Sequence, residues 1–288
     1  MRTTMRAALA ALCLAASGAA PAVIAPAAAQ DAALLERGRY LVEVTGACGN
    51  CHTPMGPQGP LPGRHLSGGT VFDEPPFRAV APNITPDPET GIGRWTDAQL
   101  ATAIREGKRP DGSLIGPPMP FGFYRGLADR DLAAMVAYLR TVPPVRNATE
   151  RSVYRMPLPP AYGPPVTSVP PPADTPVARG AYLAGAVAHC LECHTPMLPT
   201  GQSDMARLGA GGMEFRGPWG VSVARNITPH DNGLGGWSDA EIIRAVTQGV
   251  SRDGRQLAPP MAFSAYRDMS RQDLADLVAY LRSMPAQP

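Results

Sequence analysis

The chain has 288 residues, with 26 Lys and Arg against 24 Asp and Glu. That length accommodates two small domains with separate cores. Its near balance of charge, without a Lys/Arg-rich run, excludes an electrostatic footprint for nucleic acid.

At the N-terminus Arg2 and Arg6 precede an Ala/Leu-rich stretch through Leu14, and small residues then run to Ala27-Ala28-Ala29 before Gln30. That order reads as a secretory signal over residues 1–29, cleaved after Ala29, and points to the periplasm. Gly18, Pro21 and Pro26 interrupt the apolar run, which argues against a membrane anchor, and no later run is long enough to span a bilayer. Cys13 lies behind Leu12, where lipid attachment requires a small residue, so it is not expected to carry a lipid. Once Arg2 and Arg6 leave with the leader, 24 cationic side chains face 24 carboxylates.

Residues 30–142 form the first expected domain. A helix is expected before the first cysteines, with Gly38 near its start, where a side chain would obstruct a crossing helix. Cys48-Gly-Asn-Cys51-His52 then places two thiols one helical turn apart, with an imidazole immediately after. That spacing suits thioether bonds to two haem vinyl groups, with the histidine on the iron. A zinc cage built from two such pairs, or a thioredoxin-type dithiol, competes with this reading. Met55, three residues beyond His52, is tethered too closely to reach the opposite face of a haem.

Further along, Asn83-Ile-Thr-Pro86 is a turn whose amide either orders a haem edge or closes the turn. The acidic loop Asp87-Pro-Glu89 matches no calcium-loop spacing. Trp95 either donates its indole N–H to a haem propionate or packs in the core. Thr96-Asp-Ala-Gln99 is a capping box that opens a helix marked by Leu100 and Ile104. Met119, in Pro117-Pro118-Met119-Pro120-Phe121, stands 67 residues after His52 and is the candidate sixth ligand. A thioether favours ferrous iron, and flanking prolines restrict its loop; the competing reading is core filler. The domain closes on a helix with the stripe Leu132, Met135, Val136, Leu139.

From Thr141 through Pro176 the chain has eleven prolines. Residues 143–176 therefore read either as an extended, semi-rigid linker or as a disordered spacer.

Residues 177–288 repeat the first domain. A shift of 142 superimposes Gly38 on Gly180, Tyr40 on Tyr182, Trp95 on Trp237, Met119 on Met261 and Tyr138 on Tyr280, with a one-residue slip at Asn226-Ile-Thr-Pro229. The second motif is Cys190-Leu-Glu-Cys193-His194, and Met261 again stands 67 residues beyond its histidine. Ser238-Asp-Ala-Glu241 repeats the capping box, and Leu274, Leu277, Val278, Leu281 repeat the stripe. Each cysteine pair has its own histidine in its own copy, which argues against a shared zinc cage and against a dithiol. With Cys13 in the leader, the other four cysteines all belong to the motifs, and none remains for a disulfide or a nucleophile. His65, His189 and His230 are not duplicated and read as surface or loop residues. Strand patterns are scarce, and no hydrolase or nucleotide motif occurs.

With Cys-x-x-Cys-His, Asn-Ile-Thr-Pro, a Gly-x-Gly-x-Trp turn, Pro-Pro-Met and a final Ala-Tyr-Leu-Arg helix, each half resembles a class I cytochrome c domain. The resemblance implies an all-α fold of two tandem domains joined by the proline-rich linker. It also implies two covalent haem c groups, on Cys48/Cys51 and Cys190/Cys193, with iron held by His52 and Met119 and by His194 and Met261. More narrowly, the chain resembles the cytochrome c subunits of membrane-associated bacterial dehydrogenases for alcohols, aldehydes, gluconate or nicotinate. Those subunits relay electrons from a dehydrogenase to quinone, another cytochrome or a terminal oxidase, and their usual form has three haems rather than two. The expectation is a periplasmic electron carrier, held at the membrane by a partner where it is held at all, rather than an enzyme with catalytic groups of its own. The rivals are a dihaem peroxidase or thiosulfate-oxidising cytochrome, which needs an iron position that opens or a spare thiol, and a haem module of a larger oxidase.

Overall fold

The computed structural model describes residues 27–199 and 201–288. The expected leader lies outside the described residues as far as residue 26, Cys13 included, and Ala27–Ala29 open the first helix.

In the first half, α1 (Ala27–Arg39) runs directly into a π-helical turn at Tyr40–Thr45, and α2 (Gly49–His52) follows. A short ladder, β1 (Met55–Gly56) with β2 (Gly59–Pro60), leads to the hairpin β3 (Val71–Glu74) and β4 (Phe77–Val80). Three helices complete the half: α3 (Asp97–Glu106), α4 (Phe121–Tyr124) and α5 (Asp129–Leu139). Next, β5 (Val153–Tyr154) lies in the proline-rich segment. The second half repeats the plan with α6 (Pro176–Tyr182), a π turn at Leu183–Val187, α7 (Cys190–Cys193), the hairpin β6 (Glu214–Gly217) and β7 (Gly220–Val223), α8 (Asp239–Gln248), α9 (Phe263–Tyr266) and α10 (Arg271–Ser283). The all-α expectation is therefore corrected to a helical fold with small hairpins. Four-residue strands closed by Pro75-Pro76 and Pro218-Trp219 are too short to show a period in the sequence.

Local signals place the helices. Both capping boxes form, with Thr96 and Ser238 accepting from the N3 backbone while Gln99 and Glu241 reach back. Gly107 and Gly249 then end α3 and α8 in the left-handed conformation. Both four-residue stripes are buried, on α5 and α10. Arg140 and Arg282, just past those stripes, donate to the carbonyls of Ile92 and Trp95 and of Leu234 and Trp237.

The first and last helices of each half cross at a glycine. A Cβ on Gly38 would stand 2.0 Å from the Ala134 carbonyl oxygen, and one on Gly180 would stand 1.9 Å from that of Asp276. The expectation that Gly38 obstructs nothing because it lacks a side chain holds, but its position differs. It is one residue from the end of α1, because the alanines at 27–29, 32 and 33 carry the helix further towards the N-terminus. Gly180 sits within α6, whose start is set by Thr175 as N-cap and Pro176 behind it.

The proline-rich segment is docked on the first half. Val153 and Tyr154 pair with Arg78 and Phe77. Tyr162 stacks on Phe121 with ring centroids 5.1 Å apart and donates to the Ile115 carbonyl at 2.8 Å. Further along, the Asp129 N–H donates to the Val169 carbonyl at 2.9 Å. Prolines hold this strap extended, and its tyrosines supply the apolar contacts that seat it.

The halves meet in a reciprocal contact. Tyr40 donates to Asp273 at 2.5 Å and accepts from the Ser270 N–H, while Tyr182 donates to Asp131 at 2.9 Å and accepts from the Ala128 N–H. Burial first, and then the carboxylate, pushes the Tyr40 phenol up to about 12. Leu183 and Val187 enter the first core, and Val44 and Ala47 enter the second.

Replacing Gly38 or Gly180 by Ala forces a backbone shift at a helix crossing. An overpacking loss of about 1–3 kcal/mol is expected for either variant in a denaturant titration followed by circular dichroism. Gly122→Ala, where nothing lies within 4 Å of the added carbon, is the matched control and should stay near wild type.

Candidate functional site

Each cysteine motif begins where the π turn ends. Widening the last turn of α1 lets the Gly46 N–H bond the Leu41 carbonyl at 2.7 Å, and the Cys48 N–H bonds that of Val42 at 2.9 Å. The second half repeats this with Ala188 N–H on Leu183 at 2.8 Å. Such wide turns are rare, and here they swing both cysteine motifs out of the helix line. Cys48 and Cys51 then share one short turn with His52, as Cys190 and Cys193 do with His194.

Both histidines are oriented by a carbonyl. The Nδ1–H of His52 donates to Pro82 O at 2.8 Å, and that of His194 donates to Arg225 O at 2.6 Å. Burial lowers both imidazole pKa values, opposed by the carbonyl bond, so the rings are neutral at pH 7 and each Nε2 keeps a lone pair free to bind a metal. Thr53 and Thr195, both buried, brace the loops by accepting from the N–H of Leu66 and of Gly209. These threonines follow their histidines at the same 142-residue shift, so the duplication carried a signal for them.

Among the described residues no disulfide links the four motif cysteines. Although an edge of each reaches solvent, desolvation pushes Cys48 up to about 12, and Cys51 and Cys190 to about 11; Cys193 also rises. Thiols held protonated are slow dithiol reductants. Among the described residues, no group of three or more His, Cys, Asp and Glu side chains gathers into a metal site.

In the second half Cys190, His194 and Met261 line a single apolar cavity, walled by Leu183, Ile227, Val246 and Leu277. In the first half Cys48 and Met119 pack against the corresponding core, beside Leu41, Leu100 and Leu132. The donor set therefore suits a large apolar group carrying a metal: a neutral nitrogen, a soft thioether, and two thiols that could anchor its rim. Met55 and Met197 point away from these cores, 57% and 53% exposed.

Other repeated residues have structural roles. Asn83 Oδ1 accepts from the Thr85 N–H and hydroxyl, and Asn226 treats Thr228 alike, so these amides close their turns. Trp95 and Trp237 pack against the cores. Asp87 accepts from the N–H of Glu89 and Thr90, which uses the acidic loop to close itself. Of the unduplicated histidines, His65 pairs with Glu43 at 2.9 Å, and His189 meets the Tyr124 ring edge-on at 5.5 Å. The two sites face one another: Asn50, inside the first motif, donates to Pro260 O at 3.0 Å, next to Met261.

The model of the cytochrome c family matches residues 35–143 and 177–285. The cytochrome c subunit of quinone-dependent alcohol dehydrogenase from Gluconobacter oxydans is 35% identical over 285 residues, covering 90% of this chain and 57% of that protein. A nicotinate dehydrogenase subunit from Pseudomonas putida is 32% identical over 278 residues, covering 90% of this chain and 22% of that protein. A dihaem c-type cytochrome from Cereibacter sphaeroides is 32% identical over 253 residues, covering 84% and 83%. The chain thus spans about half the length of the alcohol dehydrogenase cytochrome subunit, under a quarter of the nicotinate dehydrogenase subunit and most of the dihaem protein.

The Glu43 carboxylate, accepting from Nε2, holds the His65 pKa up against burial, which lowers it. Because the folded value is raised, the pair's stabilisation is complete below the ordinary histidine pKa. It is lost as pH rises through the raised value. With the imidazole half exposed, the loss should stay under about 1 kcal/mol. Melting curves of wild type and His65→Gln across pH 5–8 should differ by this slope, and equal slopes would contradict it.

Proposed function

The chain belongs to the cytochrome c family, with one copy of the domain in each half, and from that premise we propose a periplasmic electron relay that serves a dehydrogenase. It is an electron-transfer protein with two covalently bound haem c groups. Residues 1–29 act as an export signal, and residues 30–142 and 177–288 form the two haem domains, with the strap between them. Cys48 and Cys51 carry one haem and Cys190 and Cys193 the other. Haem iron, when bound, alternates between ferric and ferrous and so carries one electron at a time.

The protein's own residues set the terms of that exchange. His52 and His194, fixed by their Nδ1–H bonds, would hold the iron through Nε2, and Met119 and Met261 would supply the second ligand through sulfur. A neutral soft ligand set in an apolar cavity disfavours the extra charge of ferric iron and raises the potential. With a histidine and a methionine both holding the iron, a bound haem would keep no position open for peroxide, which favours electron transfer over catalysis. The contact of Asn50 with Pro260 supports passage between the haems inside one molecule.

Dehydrogenase cytochrome subunits among the relatives support a dehydrogenase as donor, with another cytochrome, quinone or a terminal oxidase as acceptor. Among the described residues no helix is long and apolar enough to cross a membrane, so we place membrane attachment, where it occurs, in the partner.

The observation that carries this reading is the cavity shared by Cys190, His194 and Met261. Cys190→Ala with Cys193→Ala should leave one haem per chain by mass and haem staining. Met119→Ala and Met261→Ala should each remove about half of the weak far-red band of sulfur on ferric iron and lower one of the two potentials. Two haems in the cysteine variant, an intact band in the double methionine variant, or rapid peroxide turnover would overturn the assignment.

A further inference from the structure

The two halves differ at one sheet edge. In the first, β4 is flanked on both sides, by β3 and by β5 of the strap. The Val80 N–H turns away from β3 and donates to Ser152 Oγ at 3.0 Å, while the N–H groups of Arg155 and Met156 donate to Pro76 O. Two ion pairs set the register: Arg78 with Glu150 at 2.6 Å, and Arg155 with Asp73 at 3.1 Å. The strap also reaches the loop before Met119, where Tyr154 Oη accepts from the Gly116 N–H.

In the second half β7 pairs with β6 alone among the described residues. A shift of 143 places Val223 on Val80, Val221 on Arg78, Trp219 on Pro76 and Arg216 on Asp73. By the two-residue period of a strand, the N–H groups of Val221 and Val223 face the open side. Trp219, Val221 and Val223 are 41%, 54% and 48% exposed. Exposed edges are ordinarily protected by shortness, charge, proline or a covering segment, and this one, although short, carries two valines and a serine with no charge. Ser222, between the valines, donates to Pro259 O at 2.6 Å and so ties β7 to the loop that bears Met261.

We propose that β7 is a docking edge, where an extended segment of a partner protein adds antiparallel as β5 adds to β4. The first half shows the occupant's form, and the exchanged residues define its chemistry. Where the strap sets Glu150 against Arg78, the partner sets an apolar side chain against Val221. Where the strap sets Arg155 against Asp73, the partner sets a carboxylate against Arg216. The pair Arg216 with Glu214 is exposed on both sides and can yield to it. The strap of a second copy does not fit, because its Arg155 would meet Arg216 and its Glu150 would lie on Val221. Docking here seats the partner beside the Met261 loop, to which Ser222 ties β7.

The test uses the haem-loaded full chain and two synthetic peptides. One is the strap segment Ala148–Pro159, and the other is the same segment with Glu150→Val and Arg155→Glu. The substituted peptide should slow amide hydrogen exchange across residues 214–225 and bind about tenfold or more tighter than the unaltered one, since like charges meet only in the latter. Arg216→Glu should reverse that preference while leaving both haem spectra unchanged, and Val221→Pro, which removes an outward N–H, should abolish protection. Absence of protection by the substituted peptide at millimolar concentration would overturn the proposal. So would a preference that survives Arg216→Glu.

Discussion

The architecture depends on how closely the first and last helices of each half approach. At Gly38 over Ala134, and at Gly180 over Asp276, the gap would leave an added carbon within about 2 Å of a carbonyl oxygen. That contact holds α1 on α5 and α6 on α10. With the crossing held, the buried stripes of α5 and α10 have one face to fill, and the chain leaving the crossing must turn within a few residues. The π turns at Tyr40–Thr45 and Leu183–Val187 make that adjustment, and each delivers its cysteine motif against the core.

The same turns make two domains into one body. Because they bulge outward, Leu183 and Val187 fill the first core while Val44 and Ala47 fill the second. Tyr40 and Tyr182, one at the head of each bulge, reach the carboxylates of Asp273 and Asp131 at the start of the opposite terminal helix. Opposed carboxylate partners also suit helix N-termini, where the backbone dipole favours negative charge. The arrangement turns the cysteine motifs towards each other, so they lie on either side of the packed seam between the halves.

Duplication did not leave the halves equivalent. The first sheet edge is closed by the strap, whose prolines keep it extended and whose Tyr154 and Tyr162 anchor it. The second edge has exchanged Arg78 for Val221 and Asp73 for Arg216. Glu43, which joins Tyr138 and His65 at 2.9 Å each, has only Gly185 as counterpart. These differences fall beside the cysteine motifs and the methionine loops, and so give the two haems unlike surroundings.

The sequence by itself determined much of this protein, because spacing and repetition are local and countable. Cys-x-x-Cys-His, the capping boxes and the four-residue stripes state their chemistry within a few residues, and of the two methionine pairs that the 142-residue repeat preserves, only Met119 and Met261 stand far enough from their histidines in proline-fixed loops. The crossing glycines were legible too, although the helix around Gly38 began earlier than expected. What only the tertiary structure decided concerns pairs far apart in the chain: the hairpins, the carbonyls of Pro82 and Arg225 that orient the histidines, the Tyr–Asp exchange between halves, and the docked strap. Hairpins this short show no period, a backbone carbonyl carries no side-chain signature, and proline content tells that a segment is extended without telling what it lies against. Long-range contacts of that kind come from the packing of whole elements, which no window of sequence contains.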